Sequence, residues 1–418
     1  MALALVAGTL LAPRPAAAEV TLVKSDPWEV YTSGRVDVFF GYAFGDAKPS
    51  GSLKGGGLDA STDIIPKLDA MGNPDPSQQG TISKMRMHSG FVPNVLTVGV
   101  RRKMGGDTTL RAQLSLWGTI ETNAQRKFLN VQTDFREGYL EAAGGWGTFT
   151  AGRFNSLFSR GITETDFLYG HGYGVGFWGG GGTYSTGPTA GLIGFGVLAT
   201  SFSPGMMYTT PSFGGLKTAV GVFDPVNLPG SWESTRSVRI EDETTFDMGQ
   251  ADSFFKLHLY LNGAYQKVYS GNKDETVRGL GGGFRTEVGN FHLGAGGHYG
   301  KGLGLYYALE GSEADTPGAG LPFRTAYGYS VFAQYVLKSV DLNAAFGQSN
   351  IKLEALDSAP EHMNDHPIRT QTGISAGVVY HVNESLHLDV DYLRAMFRWY
   401  GGAKEDVNYI NAGVTLTW

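Results

Sequence analysis

Cysteine is absent from the 418-residue chain, which excludes a disulfide framework and thiolate metal sites. Long apolar runs are missing too. Beyond residue 18 none approaches the roughly 18 to 20 residues that a membrane helix needs, so any crossing of a bilayer falls to a closed barrel of strands. Charge is sparse at 17% of residues, and a formal net charge of −6 is too mild to direct the chain to nucleic acid or to a strongly charged partner. Catalytic signatures are lacking: there is no H-E-x-x-H and no G-x-S-x-G. A phosphate loop ending at Gly300-Lys301 would need glycine where Ala295 stands and Ser or Thr where Gly302 stands. These absences set the expectation of no enzyme, no cofactor and no resident metal.

What is present is glycine, at 62 residues, with aromatics at 12%, a turn-rich and β-rich mixture that disfavours helical architectures. The first eighteen residues carry an apolar stretch, Leu3 to Leu11, and end in Ala16-Ala17-Ala18 before Glu19. This reads as a secretory leader with an A-x-A cleavage site, although no Lys or Arg precedes the apolar run. Residues 1–18 are therefore expected to be removed and 19–418 to form the mature domain; losing Arg14 takes the formal charge from −6 to −7.

Period-two alternation runs from residue 30 to the end of the chain. Val30, Thr32, Gly34, Val36, Val38, Phe40 and Tyr42 share one face against Tyr31, Ser33, Arg35, Asp37 and Phe39. Further on, Leu110, Ala112, Leu114, Leu116 and Ile120 oppose Arg111, Gln113, Ser115, Trp117 and Glu121, and Phe255, Leu257, Leu259, Leu261 and Tyr265 oppose Lys256, His258, Tyr260, Asn262 and Gln266. A soluble sandwich strand alternates as well. Runs near ten residues instead match the ~9 to 11 that a tilted strand needs to cross the hydrocarbon layer. Such strands have near-neutral average hydrophobicity, so a mean hydropathy of −0.14 is no objection.

The connections fall into two sets. Short turns stand at Met104–Asp107, Gly144–Gly147, Gly214-Gly215, Val288–Asn290, Lys338-Ser339 and His381–Ser385. Long polar stretches occupy about residues 45–80, 155–205, 301–324 and 352–369, with briefer ones near 122–130, 224–233, 270–276 and 399–405. Tight turns at one end and long loops at the other mark an outer-membrane barrel. Strands are expected near 30–44, 84–103, 108–121, 131–143, 147–154, 206–213, 215–223, 234–247, 253–269, 277–287, 291–300, 325–337, 340–351, 370–381, 386–398 and 406–418. Their even number puts both chain ends on the periplasmic side. The 234–247 strand is the weakest, because Ser237-Val-Arg-Ile-Glu-Asp-Glu243 has no obvious apolar face. The predicted fold is thus all-β: a transmembrane antiparallel β-barrel of sixteen strands in the outer membrane, surrounded by lipid and lipopolysaccharide.

Several segments resemble the general bacterial porins, a family of sixteen-stranded trimers. Asn408-Tyr-Ile-Asn-Ala-Gly-Val-Thr-Leu-Thr-Trp418 is similar to the terminal strand that the barrel-assembly machinery recognises, with Trp where the family usually ends in Phe. Tyr139-Leu-Glu-Ala-Ala-Gly-Gly-Trp-Gly-Thr-Phe-Thr-Ala-Gly-Arg153 resembles the hairpin leading into the family's constriction loop. Tyr208-Thr-Thr-Pro-Ser-Phe-Gly-Gly215 resembles the return hairpin, and Gly34-Arg-Val-Asp37 the first strand. The resemblance implies a homotrimer and a passive channel for ions and small hydrophilic solutes. It also implies that residues 155–205 fold into the lumen as a constriction loop, although the family's Pro-Glu-Phe-Gly-Gly motif is absent and Gly170-His-Gly-Tyr-Gly-Val-Gly-Phe-Trp-Gly-Gly-Gly-Gly182 stands there.

A porin acts by electrostatics: opposite fixed charges on facing walls of a narrow passage orient dipolar solutes and filter ions. By resemblance Arg35 and Arg153 match basic wall positions, while Thr209 stands where a third basic residue is usual and the neighbouring Lys217 is the candidate to replace it. Glu164 and Asp166, the carboxylates of the long loop, are the acidic partners. Each of these five also fits an ordinary solvated charge. Other expected lumen charges are Asp37, Arg285, Glu287, Asp341, Asp389 and Asp391, and His258, His292 and His298 fall on inward faces. Glu361-His-Met-Asn-Asp-His366 offers two imidazoles and a carboxylate for a metal, but flexible acidic loops are common and an ordinary loop is the favoured reading. Rival functions are a channel selective for a sugar or an anion, a barrel enzyme, and a structural or adhesive barrel.

Overall fold

Alternation requires a surface with two solvents, and the sheet supplies one. The structure, a computed structural model, describes residues 19–51, 53–57, 64–90, 94–118, 120, 133–167, 192–225, 237–270, 272–306, 308–309, 323–354 and 366–418. The expected leader, residues 1–18, lies outside the described residues. The strands in chain order are β1 (Val20–Ser25), β2 (Trp28–Asp46), β3 (Leu53–Lys54), β4 (Ile64–Ile65), β5 (Thr81–His88), β6 (Asn94–Lys103), β7 (Thr109–Gly118), β8 (Thr133–Gly144), β9 (Gly147–Asn155) and β10 (Phe202–Thr209). They continue as β11 (Leu216–Phe223), β12 (Arg239–Met248), β13 (Phe255–Ser270), β14 (Lys273–Val288), β15 (Phe291–Lys301), β16 (Thr325–Leu337), β17 (Val340–Lys352), β18 (His366–His381), β19 (Leu386–Trp399) and β20 (Lys404–Thr417). One helix, α1 (Arg160–Thr165), lies between β9 and β10. No helix among the described residues is long and apolar enough to cross a membrane.

Each strand from β6 to β20 pairs antiparallel with its successor. The ring closes through β2. One edge of β2 takes β20 along Arg35–Gly45, and the other takes β6 along Trp28–Arg35 and β5 along Phe39–Asp46. Because β5 and β6 lie end to end, the expected single strand 84–103 is two segments occupying one place in the wall, and the closed barrel has sixteen strands. Closure removes the free edge that an open sheet would offer for aggregation. β1 was not expected: it extends the wall beyond the C-terminus, with Val20 opposite Thr32 just past the point where Gly34 and Trp418 exchange two backbone hydrogen bonds.

Side chains sort as the sequence predicts. On β13, Leu261 is 55% exposed while Asn262 is 1% exposed; on β19, Val390 is 55% and Asp391 is 2% exposed. The outer set is predominantly apolar on the barrel strands, as acyl chains require. The strand around 234–247 is real. Arg239, Glu241 and Glu243 of β12 point inward and are buried, while Ile240 and Phe246 lie on the opposite face. Its missing apolar stripe reflects Asp242 on that outer face. Several boundaries shift: β18 begins at His366 rather than 370, β10 is Phe202–Thr209 because Phe202 already pairs with Asn155 of β9, and the expected loop at 270–276 narrows to a turn closed by the pairing of Ser270 with Lys273.

Candidate functional site

The connection from β9 to β10 leaves the wall and lines the lumen. Ser156 N–H donates to Ser201 O at 2.9 Å, which holds the two stems together. The N–H groups of Leu157 and Phe158 both donate to Glu241 Oε2, at 2.6 and 2.8 Å, and Glu241 is in turn held by Arg239 Nε at 2.8 Å. Arg239 also donates to Ser203 Oγ at 2.6 Å, so one buried ion pair ties both stems to β12. Arg160 of α1 pairs with Glu243, two residues further along the same face.

Glycine makes room for this packing. A Cβ on Gly279 would lie 2.4 Å from the Phe158 ring, and one on Gly294 would lie 2.3 Å from Thr165 Cγ2. Both positions face inward, so the glycine runs of β14 and β15 serve loop docking more than strand packing. On the return flank, Gly196 N–H donates to Ser349 Oγ of β17 at 2.8 Å, Gln371 of β18 donates to Gly194 O at 2.8 Å, and Phe195 packs on Phe397 of β19. The two flanks together touch the inner faces from β12 to β19. That is half of the wall, ending opposite the strands from which the loop departs. Phe158, Ile162, Phe167, Leu192, Phe195 and Val197 build an apolar core inside the barrel with Leu303 and Leu305 of the β15–β16 connection. Residues 168–191, the middle of the expected constriction loop, lie outside the described residues.

Of the five nominated site residues, four face the interior. Arg35 points into the lumen from β2 but is paired with Asp37 at 3.1 Å. Lys217 is inward on β11, one residue from its short-turn end. Glu164 lies on α1 beside Arg160 at 3.9 Å, and burial pushes its carboxyl up to about 8 despite the opposing pull of that guanidinium. Asp166 is 3% exposed and accepts the Leu192 N–H at 3.1 Å, so it clips the outgoing flank to the returning one. Arg153 requires a correction. It falls with Phe149 and Ala151 on the outer face of β9, exposed, whereas Thr150, Gly152 and Phe154 point inward. The hairpin resemblance placed it by sequence position, but a strand's period of two decides its side.

Sequence reasoning missed the cations of the uncovered wall. Arg111 of β7 lies over the Tyr139 ring at 5.4 Å, and Arg136 of β8 over the Trp117 ring at 4.8 Å. Arg111 was on the predicted water face and was available to nominate. Arg136 was not legible, because a register shift between Ser115 and Leu116 breaks the alternation beside it. Among the described residues no group of three or more His, Asp or Glu side chains is placed to hold a metal, and 355–365, most of the Glu361–His366 motif, lie outside them.

The anchor gives a direct prediction. Glu241→Ala strands Arg239 in a buried site, and losing one partner of such a pair costs about 3–5 kcal/mol. The unfolding midpoint in detergent should fall well below wild type, and open-channel current noise should rise as the flank comes loose; an unchanged midpoint with quiet current means the anchor was misassigned.

The chain matches the family model described as Gram-negative porin over residues 2–416. No curated relative matches by sequence. Among solved structures, the outer membrane channel DcaP of Acinetobacter baumannii is similar at TM-score 0.62 and 14% identity, covering 96% of this chain and 100% of that one. The anion-selective porin from Comamonas acidovorans is similar at TM-score 0.61 and 15% identity, covering 94% and 100%. Salmonella typhi OmpF, in complex with daunomycin, is similar at TM-score 0.53 and 12% identity, covering 95% and 99%.

Proposed function

Because the chain belongs to the Gram-negative porin family, and is accordingly an outer-membrane channel for passive diffusion of solutes, we propose that its eyelet lies between the loop flank at Glu164 and the uncovered wall at Arg111 and Arg136. The observation that carries this is the loop's path: its flanks bond along the inner faces from β12 to β19, while its contact with β8 to β11 is Leu157 packed on Tyr139, Phe154, Ala219 and Phe223, which leaves Arg111 and Arg136 beside the passage. A guanidinium held against an aromatic ring keeps its charge while losing its freedom to move, which makes it a fixed field source; Arg111 also donates to the Tyr139 hydroxyl and faces Glu141 at 3.9 Å. Arg111 and Arg136 replace Arg153 in the candidate cluster. Arg35 and Lys217 contribute weaker fields, the first because Asp37 neutralises it.

On this reading the pore is non-enzymatic, its solutes are small and hydrophilic, and its assembly is a homotrimer folded through the Trp418 strand into a lipopolysaccharide-containing leaflet. Support for the trimer is the family resemblance of the terminal strand and hairpins. The short turns and both described ends of the chain then face the periplasm, and the long loops face outward.

The test is reversal potential in a planar bilayer under a salt gradient. Arg111→Glu with Arg136→Glu should move selectivity toward cations, and an unmoved potential would show that the eyelet lies elsewhere. Glu164 adds a pH signature. Its carboxyl is neutral below about 8 and ionises above it, so cation preference should rise between about pH 7 and 9 in wild type. Glu164→Gln should lose that rise; a rise that persists in the variant would exclude Glu164 as its source.

A further inference from the structure

Four histidines remain outside the eyelet, and they occupy one level of the lumen. His258, His292, His381 and His387 are inward residues of β13, β15, β18 and β19, each within four residues of the short-turn end. They are not scattered. His258 Nδ1 meets Asp247 Oδ1 at 2.7 Å. His292 Nδ1 meets Gln334 Oε1 at 2.7 Å, and Gln334 donates to Asn343 at 3.0 Å. His381 Nε2 meets Asp341 Oδ2 at 2.9 Å, and its Nδ1 lies 2.6 Å from Nδ1 of His387. With Lys256 on Glu287 at 2.9 Å and Arg285 on Glu287 at 2.9 Å, polar contacts follow the mouth from β12 to β19. His258, His292 and His381 keep 22%, 14% and 11% of their side-chain surface open, so lumen water reaches them.

The fixed charges nearest the four histidines nearly cancel. The cations are Lys217 of β11, Lys256 of β13, Arg285 of β14 and Arg35 of β2. Against them stand Asp247 of β12, Glu287 of β14, Asp341 of β17 and Asp37 of β2. The loop contributes the Phe167 ring, 6.0 Å from His292 and under Arg285 at 4.8 Å. A ring of near-zero net charge selects weakly. What remains to set its sign is the imidazoles, whose charge changes within the range of ordinary environmental pH.

The hydrogen bonds say where the protons go. His258 donates through Nδ1 to the Asp247 carboxylate, and its Nε2 is buried with no hydrogen-bond partner among the described residues. His292 donates through Nδ1 to an amide oxygen, and its Nε2 faces Glu287 Oε2 at 3.9 Å, where a proton creates an ion pair. His381 and His387 share one hydrogen between two Nδ1 atoms, so the pair takes up one added proton readily and a second only by separating. Acidification therefore adds positive charge to a balanced ring.

We infer that this histidine belt is a second selectivity filter at the periplasmic mouth, one that turns the channel toward small anions, carboxylates among them, when the surroundings become acidic. The inference rests on the channel reading above but not on the position of the eyelet. It concerns His258, His292, His381 and His387 as selectivity-determining residues, with water-exposed rings as the agents.

The experiment measures reversal potential for the purified full chain in planar bilayers under a potassium chloride gradient, at steps from pH 8 to pH 5. In wild type the chloride-to-potassium permeability ratio should rise about two- to fivefold between pH 7 and 5, since a few added charges act within one Debye length of the ion path. His258→Gln, His292→Gln, His381→Gln and His387→Gln together should flatten that rise while leaving the alkaline change assigned to Glu164. Glutamine keeps a donor and an acceptor, and the paired variants His258→Gln with His292→Gln, and His381→Gln with His387→Gln, serve if the fourfold variant folds poorly; each should lose part of the rise. A wild-type ratio that stays constant from pH 7 to 5 in an otherwise conducting channel overturns the belt and leaves the porin reading intact, as does a full rise in the histidine variants. A folded protein without any conductance overturns the channel reading, and the belt with it.

Discussion

Deletion of about residues 160–200 should raise single-channel conductance about twofold or more while the barrel still assembles. Its described residues supply no strand to the wall, since β9 and β10 pair with each other directly from Asn155–Phe202 to Thr148–Thr209. It does supply α1, the returning flank and the apolar core they build, all inside the cylinder. Removing them widens the water path, whereas most long connections of this length serve function at little cost to the scaffold. The variant leaves Glu243 and Gln371 without their loop partners, but these open to lumen water and can be hydrated. Conductance equal to wild type would mean that the loop does not narrow the pore.

Charge placed on the lipid face should have the second-largest effect. Leu261→Arg puts a guanidinium among acyl chains near the middle of β13, at a cost of about 2–4 kcal/mol. The folded fraction in vesicle refolding should fall by about thirtyfold or more at marginal denaturant, since each 1.4 kcal/mol is a factor of ten. Leu261→Thr should fall much less. The contrast between the two substitutions, read as the heat-stable folded band on a gel, isolates lipid contact from side-chain volume. Equal loss in both would point to packing rather than to solvent on the outer face.

The barrel was legible in the sequence because closure and two solvents impose a period of two, and residues such as Leu257, Leu259 and Leu261 repeat it without interruption. Turn chemistry was legible for the same reason: Gly289 adopts φ 57° in the two-residue turn Gly289-Asn290, where glycine is the residue that fits. Two kinds of information were not. The first is which inward charges are consumed by structure. Asp166 and the Arg239–Glu241–Glu243 set look like lumen charges along a strand or loop, yet the first clips the two flanks together and the others hold them to the wall, through contacts between residues 26 and 83 positions apart. The second is local parity. One bulge in β8 hid Arg136, and a hairpin match by position put Arg153 on the wrong side of β9, because a slip of one residue exchanges lipid for water. The histidines show the converse: His258, His292 and His298 were read as inward from parity, but only the fold brings His381 and His387 level with the first two and sets His298 apart beneath the loop, 2.5 Å from where a Cβ on Gly328 would stand.

The absence of cysteine makes the central claim directly measurable, since any introduced thiol is the sole one in the chain. Single substitutions Lys256→Cys, Leu257→Cys, His258→Cys, Leu259→Cys and Leu261→Cys, walked along β13 in protein reconstituted into bilayers, should split by parity. A charged thiol reagent should modify 256 and 258 and reduce the current through the pore, while a lipid-borne quencher should reach probes at 257, 259 and 261. Uniform reactivity along the strand, or modification of the inward positions with no change in current, would contradict a water-filled barrel set in lipid.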